Sequence, residues 1–297
     1  MNIPDKHDLS GKVAVVTGGG GVLCSTLARA LAAAGAKVAV LDLREDGAKV
    51  AVLDLREEAA KKVADAIAAE GGTAKGYACN VLEKASLEAA RAAVEADLGP
   101  VDILLNGAGG NHPKGTTSNE RLTAADLAAA NPELKTFYDL DPAGIQFVFN
   151  LNILGTLLPT QVFTKGMVER GSGTILNISS MNAFRPLTKI PAYSAAKAGV
   201  SNFTQWLAVH FSQAGIRVNA IAPGFFSTAQ NKALLWNPDG TPTARTGKIL
   251  AATPMGRFGE PAELVEAALF LLDDRCASFI TGVVLPIDGG FNAYSGV

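Results

Sequence analysis

Short, uninterrupted apolar runs alternate with longer alanine-rich segments along the whole chain, and this alternation constrains the fold more than any other feature. Such runs are typical of strands buried on both faces of a parallel sheet that is covered by helices. They lie at 13–16, 38–41, 102–106, 174–179, 217–222 and 282–287. The sequence therefore predicts an α/β fold, a Rossmann-type doubly wound parallel sheet flanked by helices.

The segments between the apolar runs have the composition of amphipathic helices. We predict helices at 58–70, 84–97 and 194–212, following the helical period of their apolar residues. Glycines that directly follow helical segments are suited to left-handed C-caps. This prediction applies to Gly35, Gly71 and Gly215.

The chain has no linker and no change of composition that would mark a second domain. We therefore predict one domain over residues 1–297. Residues 225–250 are long and turn-rich, and they lie between a predicted strand and the next helix. Long connections of this kind in compact domains are usually functional, so this segment is predicted to be a lid or specificity loop.

Charge and cysteine content narrow the functional classes. Lys and Arg number 26 and Asp and Glu 28, and the formal net charge of −2 argues against a nucleic-acid-binding protein. The sequence contains no run of about 18 apolar residues that would span a membrane, and its first ten residues lack the apolar core of a signal peptide. The scattered cysteines Cys24, Cys79 and Cys276 are typical of a reducing compartment. We expect a cytoplasmic protein.

A perfect repeat interrupts this regular pattern. The sequence AKVAVLDLRE occupies residues 36–45 and again residues 48–57. A sheet needs only one copy of this strand, so the simplest interpretation is a local duplication. The other copy could be looped out, extend the helix at 58–70, or form an exposed edge strand that recruits another chain. The sequence leaves open which copy enters the sheet.

A glycine-rich turn follows the first predicted strand and precedes the first helix. Bare backbone N–H groups in such a turn, backed by the helix dipole, bind a pyrophosphate. The position of the turn between strand and helix makes this signal stronger than a glycine string alone. The predicted cofactor contacts in the turn are Gly18, Gly20, Gly21, Val22 and Leu23.

The residue at the end of the second strand indicates which dinucleotide is bound. Asp42 lies 24 residues after Gly18, where a carboxylate accepts hydrogen bonds from a ribose 2′-hydroxyl and repels a 2′-phosphate. This favours NAD over NADP. Asp54 is the equivalent residue in the second copy of the repeat. Considered alone, either aspartate is more simply a turn residue at a strand end.

Tyr193 and Lys197 stand four residues apart in a predicted helix, which places them on one face. Most such pairs are ordinary surface residues. Ser180 at the end of a predicted strand and Asn152 make a functional interpretation stronger. A free phenol titrates near pH 10, and a nearby ammonium group lowers its pKa. We therefore expect Lys197 to make Tyr193 a usable proton donor and acceptor.

Several motifs in this order resemble the short-chain dehydrogenase/reductase family over nearly the whole chain. TGGGGVLC resembles the TGxxxGxG turn of that family, NGAGG at 106–110 its NNAG segment, and RVNAIAPG the strand before its PG turn. YSAAK matches YxxxK, and Ser180 precedes Tyr193 by thirteen residues, as in the family. The resemblance implies a catalytic tetrad, which consists of Asn152, Ser180, Tyr193 and Lys197.

The resemblance also implies roles for these and other residues. Tyr193 would transfer a proton while Ser180 orients the substrate oxygen. Lys197 would also hold the nicotinamide ribose, and Asn152 a water that links Lys197 to solvent. Homotetramers form in this family through the 194–212 helix and the C-terminal strand. Further cofactor contacts fall on Asn80, Val81, Asn106, Ala108, Gly109, Pro223, Gly224 and Thr228.

A finer resemblance, to the D-mannonate oxidoreductase (fructuronate reductase) branch, implies an anionic sugar-acid substrate. The segments that carry it include SSMNAFRPLTKIPAYSAAK and TPMGRFGEP. An anionic substrate calls for cations or amide donors near the chemistry, although each candidate alone is more simply a loop residue. The candidates are His112, Lys114, Ser180, Asn182, Arg185 and Tyr193, with Lys189 beside them. With only three histidines, far apart in the sequence, we predict no zinc site.

Departures from the family pattern keep two alternatives open. Val22 and Cys24 stand where the family has glycines, and Asn80 where it often has aspartate. Because of these changes and the repeat, the protein could also be a dinucleotide-binding protein that has lost catalytic turnover. Within the family, gluconate, a polyol or a 3-oxoacyl thioester is the alternative substrate.

Overall fold

The structure of the protein is a computed structural model that describes residues 7–43, 57–128, 131–228 and 231–296. It contains a seven-stranded sheet in the order β3-β2-β1-β4-β5-β6-β7, and all neighbouring strands are parallel. This order is that of a doubly wound sheet, which confirms the predicted fold class. The strands are β1 (Val13–Thr17), β2 (Lys37–Asp42), β3 (Thr73–Ala78), β4 (Ile103–Asn106), β5 (Gly173–Ile178), β6 (Ile216–Pro223) and β7 (Val284–Ile287).

Helices cover both faces of the sheet. The predicted helix at 84–97 has those bounds, and the other two begin or end within three residues of the prediction. The helices are α1 (Val22–Ala33), α2 (Glu57–Ala69), α3 (Lys84–Asp97), α4 (Ala124–Ala128), α5 (Pro142–Phe149), α6 (Gly155–Phe163), α7 (Lys165–Arg170), α8 (Pro191–His210), α9 (Lys232–Leu235), α10 (Ala244–Ala251), α11 (Val265–Leu272) and α12 (Asp274–Ala277). A π-helical turn, Asn150–Leu154, connects α5 to α6.

The apolar side chains of each strand point alternately into two cores. In β1, Ala14 and Val16 pack with α1, α2 and α11, whereas Val13 and Val15 pack with α3, α6 and α8 on the opposite face. This alternation follows from the two-residue period of a strand. Because both faces are covered, the strands read as continuous apolar runs.

Glycines follow the ends of helical segments, as predicted. Gly35, Gly71 and Gly215 have φ angles of 95°, 85° and 69°, the left-handed conformation that glycine adopts without steric cost.

The first copy of the repeat supplies the strand. β2 lies between β1 and β3, with Val40 paired to Val16 and Gly76. In the second copy, residues 48–56, including Asp54, lie outside the described residues, and Glu57 begins α2. The sheet as described therefore uses Asp42 at its cofactor edge.

The segment predicted as a lid contains two short helices, α9 and α10, after β6. Lys248 of α10 forms an ion pair with Glu120, 2.7 Å away, in the long connection between β4 and α5. The two connections therefore meet beyond the carboxyl ends of the strands. Among the described residues, no helix has the length and apolarity required to cross a membrane.

The chain reverses direction of winding between β1 and β4, whose carboxyl ends frame a crevice. Thr17 at the end of β1 bridges this point, because its hydroxyl oxygen accepts hydrogen bonds from the N–H groups of Gly107 and Ala108, at 3.1 and 3.3 Å. Ligands of open α/β sheets bind at such topological switch points. The fold thus places the glycine-rich turn and the segment after β4 on one crevice.

Candidate active site

The glycine-rich turn between β1 and α1 approaches the segment after β4 so closely that no side chain fits between them. Gly18 has a φ of 63°, and a β-carbon on it would lie 2.9 Å from the backbone of Ala108. The turn continues through Gly20 and Gly21 into Val22 and Leu23, the first residues of α1. The bare backbone and the helix N-terminus behind it fit a pyrophosphate.

Asp42 is joined directly to this turn. Its Oδ2 accepts a hydrogen bond from the N–H of Gly20 at 2.9 Å, and its Oδ1 accepts one from Leu43 at 2.8 Å. Burial raises the pKa of the Asp42 carboxyl, although the two hydrogen bonds counteract this effect. The carboxylate therefore lies at the carboxyl end of β2, beside the glycine-rich turn.

Cys24 faces inward from the first turn of α1. It is buried, and burial raises the pKa of its thiol to about 12. A β-carbon on Gly107 would overlap its sulfur. Cys24 is thus an unreactive packing residue, and it fills space that Gly107 leaves open.

Asn80 and Val81 follow β3 at the same edge of the sheet. The side chain of Asn80 holds its own turn: Oδ1 accepts from the N–H of Leu82 at 3.0 Å, and Nδ2 donates to Glu83 at 2.8 Å. Val81 is buried. Both residues therefore lie at the carboxyl end of β3, with Asn80 already hydrogen-bonded within the turn.

Asn106, predicted as a cofactor contact, points into the core. Its Nδ2 donates to Thr160 at 3.0 Å and to Asn177 of β5 at 2.9 Å, and Asn177 donates to Thr204 of α8 at 2.9 Å. The Oδ1 of Asn106 is buried without a partner among the described residues. The side chain of Asn106 thus connects two helices through adjacent strands, and only its backbone remains at the crevice.

A ladder of buried threonines runs along α6 behind this network. The hydroxyls of Thr156, Thr160 and Thr164 each donate to the carbonyl oxygen four residues earlier, at 2.6 to 2.8 Å. The first of these carbonyls belongs to Asn152. The hydrogen-bonded side chains therefore extend from the core to the start of the predicted tetrad.

Asn152 lies in the π-helical turn between α5 and α6 and is completely buried. Its Nδ2 donates to the carbonyl oxygens of Gly110 at 2.8 Å and Val148 at 2.7 Å, and its Oδ1 accepts from the N–H of Gly110 at 3.3 Å. Single π-helical turns frequently occur at functional sites. The Asn152 side chain thus fixes the segment after β4 against α5.

Lys197 is buried in α8, and its Nζ donates to the carbonyl oxygen of Ile178, the last residue of β5, at 2.7 Å. Burial lowers the pKa of the Lys197 ammonium to about 8. A β-carbon on Gly109 would lie 3.1 Å from this Nζ and 2.7 Å from Asn152 Oδ1. Lys197 and Asn152 therefore flank the same short stretch of backbone.

Tyr193 shares one face of α8 with Lys197, whose Nζ lies 5.7 Å from the centre of its ring. The prediction that Lys197 lowers the pKa of Tyr193 is wrong in this structure: burial raises that pKa, and a hydrogen bond with Ser180 lowers it only in part. Desolvation of the phenolate outweighs an ammonium at this distance. Tyr193 is consequently a neutral phenol, paired with Ser180.

Ser180 caps a short 3₁₀ turn that carries a second polar side chain. Its Oγ accepts a hydrogen bond from the N–H of Asn182 at 3.3 Å. Asn182 is 5% exposed, and its Oδ1 is buried without a described partner. An unpaired buried amide oxygen is costly.

The charged residues predicted to bind the substrate already have partners within the protein. Lys114 pairs with Asp141 at 2.9 Å, and Arg185 donates to the carbonyl oxygen of Asn292 at 3.1 Å. His112 is buried against the ring of Phe147, 5.1 Å between centres. Its Nδ1 accepts from the N–H of Lys114 at 3.1 Å, which leaves the proton on Nε2.

Lys189 has a left-handed backbone conformation, with φ 72°, just before α8. It is the single non-glycine residue with this conformation in the described part of the chain. Its carbonyl oxygen accepts a hydrogen bond from Thr117 at 2.9 Å. Such strain in a non-glycine residue is typical of functional segments.

The remaining predicted contacts lie at the end of β6. Pro223 ends the strand, and the N–H of Gly224 donates to Ile287 of β7 at 2.9 Å. The N–H of Thr228 donates to the Oδ1 of Asn231 at 2.9 Å. These residues border the segment of α9 and α10.

The predicted catalytic residues therefore lie together: Asn152 in the π-helical turn, Ser180 beyond the carboxyl end of β5, and Tyr193 and Lys197 on α8. Lys114 and Arg185 are engaged elsewhere. Sequence reasoning missed Thr17, Asn177 and the threonine ladder. Of these, the four-residue spacing of the threonines was a visible signal, whereas Thr17 and Asn177 carry no signal apart from their positions at strand ends.

Comparisons with known proteins are consistent in family and fold. The sequence profile of a family described as enoyl-(acyl carrier protein) reductase, within the short-chain dehydrogenases and reductases, matches residues 36–292. An uncharacterized oxidoreductase of Haemophilus influenzae is 57% identical over 297 residues, which are 100% of this chain and 99% of the other.

Two crystal structures extend the comparison. One, of a Haemophilus influenzae protein provisionally named a D-mannonate oxidoreductase, contains bound NAD; it is 56% identical, has a TM-score of 0.89, and covers 98% of each chain. The other, of a gluconate 5-dehydrogenase from Burkholderia cenocepacia with NADP and tartrate, is 30% identical, has a TM-score of 0.77, and also covers 98% of each chain.

Proposed function

The chain belongs to the short-chain dehydrogenase/reductase family, and from this premise we propose that it is an NAD-dependent oxidoreductase that acts on a secondary alcohol or ketone of a sugar acid. The substrate pair that we favour is D-mannonate and D-fructuronate. The closeness of Gly109 to both Lys197 and Asn152 carries the proposal. The backbone that follows β4, at the mouth of the proposed cofactor crevice, is thus in direct contact with two members of the proposed tetrad.

Nicotinamide, when bound, supplies or accepts the hydride at the reacting carbon. In the reductive direction, Tyr193 donates its proton to the carbonyl oxygen of the substrate as that oxygen gains charge. The raised pKa of Tyr193 keeps this proton in place at neutral pH. Ser180 hydrogen-bonds the same oxygen and orients it. General acid catalysis of this kind contributes about 10²–10⁴ in rate.

Lys197 and Asn152 position this machinery. Lys197 is anchored to Ile178, so its ammonium stays beside Tyr193 and within reach of ribose hydroxyls. Asn152 holds Gly110, and thus the segment after β4, at a fixed distance from α8. We also propose that a water bound at Asn152 connects Lys197 to solvent.

The preference for NAD is supported by Asp42. Its buried carboxylate accepts from the N–H of Gly20, so it stands where a 2′-phosphate would need a cation. The bare turn from Gly18 to Gly21 and the backbone at Ala108 and Gly109 are the groups that would hold the dinucleotide. The relative that contains NAD is consistent with this preference.

A sugar acid is supported by polar groups beside the tetrad. The Oδ1 of Asn182 is buried without a hydrogen-bond partner among the described residues, and it can accept from a substrate hydroxyl. The Nε2 of His112, whose Nδ1 accepts from Lys114, is a donor suited to a carboxylate. A 3-oxoacyl thioester would leave the buried oxygen of Asn182 unpaired, which favours a polyhydroxy acid over an acyl substrate.

We also propose that the enzyme is a cytoplasmic homotetramer that assembles partly through α8. The exposed side of this helix carries a stack of rings: Trp206 lies 6.1 Å from Phe203 and 4.6 Å from His210, with nearly parallel planes. Val209, beside them, is 77% exposed. Exposed apolar patches of this kind mark protein interfaces. Light scattering on the purified protein measures the assembly directly.

The function is tested with uronates, aldonates, gluconate and polyols, each with NAD(H) and NADP(H). We expect turnover of D-fructuronate with NADH, and of D-mannonate with NAD, to exceed every other pair by at least tenfold. Turnover of gluconate or a polyol alone would replace the substrate that we propose. NADH binding without turnover of any compound would favour a dinucleotide-binding protein without activity.

A further inference from the structure

The fold brings together three metal-binding side chains that are far apart in the sequence. His7 precedes β1, and Asp273 and Cys276 lie at the junction of α11 and α12. One donor atom from each lies within 4.8 Å of the others. The amino-terminal segment enters the sheet through β1, so this cluster is at the edge opposite the crevice. The expectation that three distant histidines exclude zinc did not anticipate this convergence.

The distances between these donor atoms approach those of a tetrahedral zinc site. His7 Nδ1 lies 3.5 Å from Asp273 Oδ2 and 3.9 Å from Cys276 Sγ. Zinc bonds of roughly 2.0–2.3 Å to nitrogen, oxygen and sulfur imply tetrahedral edges of roughly 3.3–3.6 Å between donors. A contraction of a few tenths of an ångström would therefore bring both of these distances to tetrahedral edges, and Asp273 and Cys276 lie within 4.8 Å of each other.

The groups around the cluster have the arrangement of an outer coordination shell. His7 Nε2 faces Glu266 Oε2 at 3.3 Å, so the nitrogen that does not face the cluster has a carboxylate partner. Metal-bound histidines usually donate their other ring N–H to such a group. Arg275 donates hydrogen bonds to both oxygens of Asp273: its backbone N–H and Nε reach Oδ1 at 2.9 and 3.1 Å, and its Nη2 reaches Oδ2 at 2.8 Å. These bonds fix the direction of Oδ2.

We propose that His7, Asp273 and Cys276 bind Zn²⁺, with water as the fourth ligand. Nitrogen, oxygen and thiolate are the ligands that this borderline-soft ion prefers. The ion would attach the segment before β1 to α12. This inference is independent of the proposed function, because the cluster lies at the opposite edge of the sheet from Tyr193.

The charges around the cluster determine how tightly it would bind zinc. The positive charge of the Arg275 guanidinium repels a zinc ion and weakens its binding. We therefore expect the site to bind zinc reversibly, at micromolar concentrations. Zinc binds cysteine as the thiolate, so the proton of the Cys276 thiol leaves as the ion binds.

The test uses the full-length protein, free of any affinity tag and treated with chelator. Titration with Co²⁺ is expected to give a thiolate-to-cobalt charge-transfer absorption that saturates at one equivalent and is displaced by Zn²⁺. His7→Gln and Cys276→Ser should remove this absorption and weaken zinc binding at least tenfold. Glu266→Gln should weaken zinc binding by about tenfold with the absorption retained.

A matched control separates the site from general histidine binding. His210→Gln removes an exposed histidine on α8 and should leave the cobalt spectrum and the zinc affinity unchanged. Zinc should raise the melting temperature of the wild type and of this control, but not of His7→Gln. Absence of the charge-transfer absorption, or wild-type zinc affinity in Cys276→Ser, would overturn the proposal.

Discussion

The sulfur of Cys24 lies where a β-carbon on Gly107 would have to lie. Cys24 belongs to the first turn of α1, and Gly107 follows the last residue of β4. Because Gly107 has no side chain, the thiol of Cys24 fits beside it. The two residues pack directly against each other, so the departure from glycine at Cys24 is accommodated without a clash.

Gly107→Ala should destabilise the protein by about 1–3 kcal/mol, because the new methyl group overlaps Cys24 and would lie 2.8 Å from the carbonyl oxygen of Thr17. Urea unfolding measures the change. Adding Cys24→Ala should recover part of the loss, which a double-mutant cycle detects. Strict additivity of the two substitutions would show that the residues do not interact.

Tyr193→Phe should lower turnover by about 10²–10⁴, because it removes the proton donor while the ring and its packing remain. NADH binding, followed by fluorescence titration, should change less than threefold. Tyr294→Phe is the control, since Tyr294 is an exposed tyrosine near the C-terminus. Wild-type turnover in Tyr193→Phe would eliminate this residue as the acid.

Lys197 should make the protein more stable as the pH rises from 8 to 10.5. Burial lowers its pKa to about 8 from the ordinary lysine value of 10.5, so between these values the unfolded chain binds more protons. Below pH 8 the buried ammonium costs up to ~3 kcal/mol. Urea unfolding at several pH values should show this gain in wild type and in Lys62→Met, but not in Lys197→Met. An equal gain in Lys197→Met would place its origin in another group.

Asp42→Ala should reduce the preference for NAD over NADP by about tenfold or more, a change of at least about 1.4 kcal/mol. The carboxylate beside Gly20 is the group that opposes a 2′-phosphate. Kinetics with both cofactors measure the ratio, and Asp54→Ala is the matched control. If Asp42→Ala still excludes NADP and Asp54→Ala does not, the second copy of the repeat supplies the ribose contact.

Deletion of residues 46–57 should leave activity and melting temperature nearly unchanged. The deletion joins Glu45 to Glu58, and so keeps the strand, its aspartate and the junction with α2. Activity assays and thermal unfolding test this expectation. Light scattering tests the alternative that the repeat recruits another chain, which a change of assembly on deletion would support.

The sequence predicted the strands that consist of continuous apolar runs, five of which lie inside the sheet, with β7 at its edge. It missed β3, whose residues TAKGYA contain no apolar run because an edge strand is only partly buried. The last strand begins at Val284 rather than at residue 282, since Gly282 has a φ of 82°. The helix of the tetrad begins earlier than predicted, at Pro191, a residue favoured in the first turn.

The structure brings the residues of the predicted tetrad together, but their electrostatics differ from the prediction. The spacing of Tyr193 and Lys197 predicts a shared helix face, and the structure has it. The spacing contains no information about burial, and burial controls the pKa of both groups. The inward direction of Asn106 follows from its pairing with Asn177, a partner 71 residues away that only the folded sheet brings near.

The polar chain through Asn106, Asn177 and Thr204 has a consequence for how this protein can change over evolutionary time. Asn106 donates to Asn177, and Asn177 donates to Thr204, all within the protein interior. An apolar replacement at one position would therefore leave a buried donor or acceptor at the next without a hydrogen-bond partner. Viable mutational routes must then exchange these residues jointly. A lineage that drifts freely on its surface would keep this buried trio as a unit.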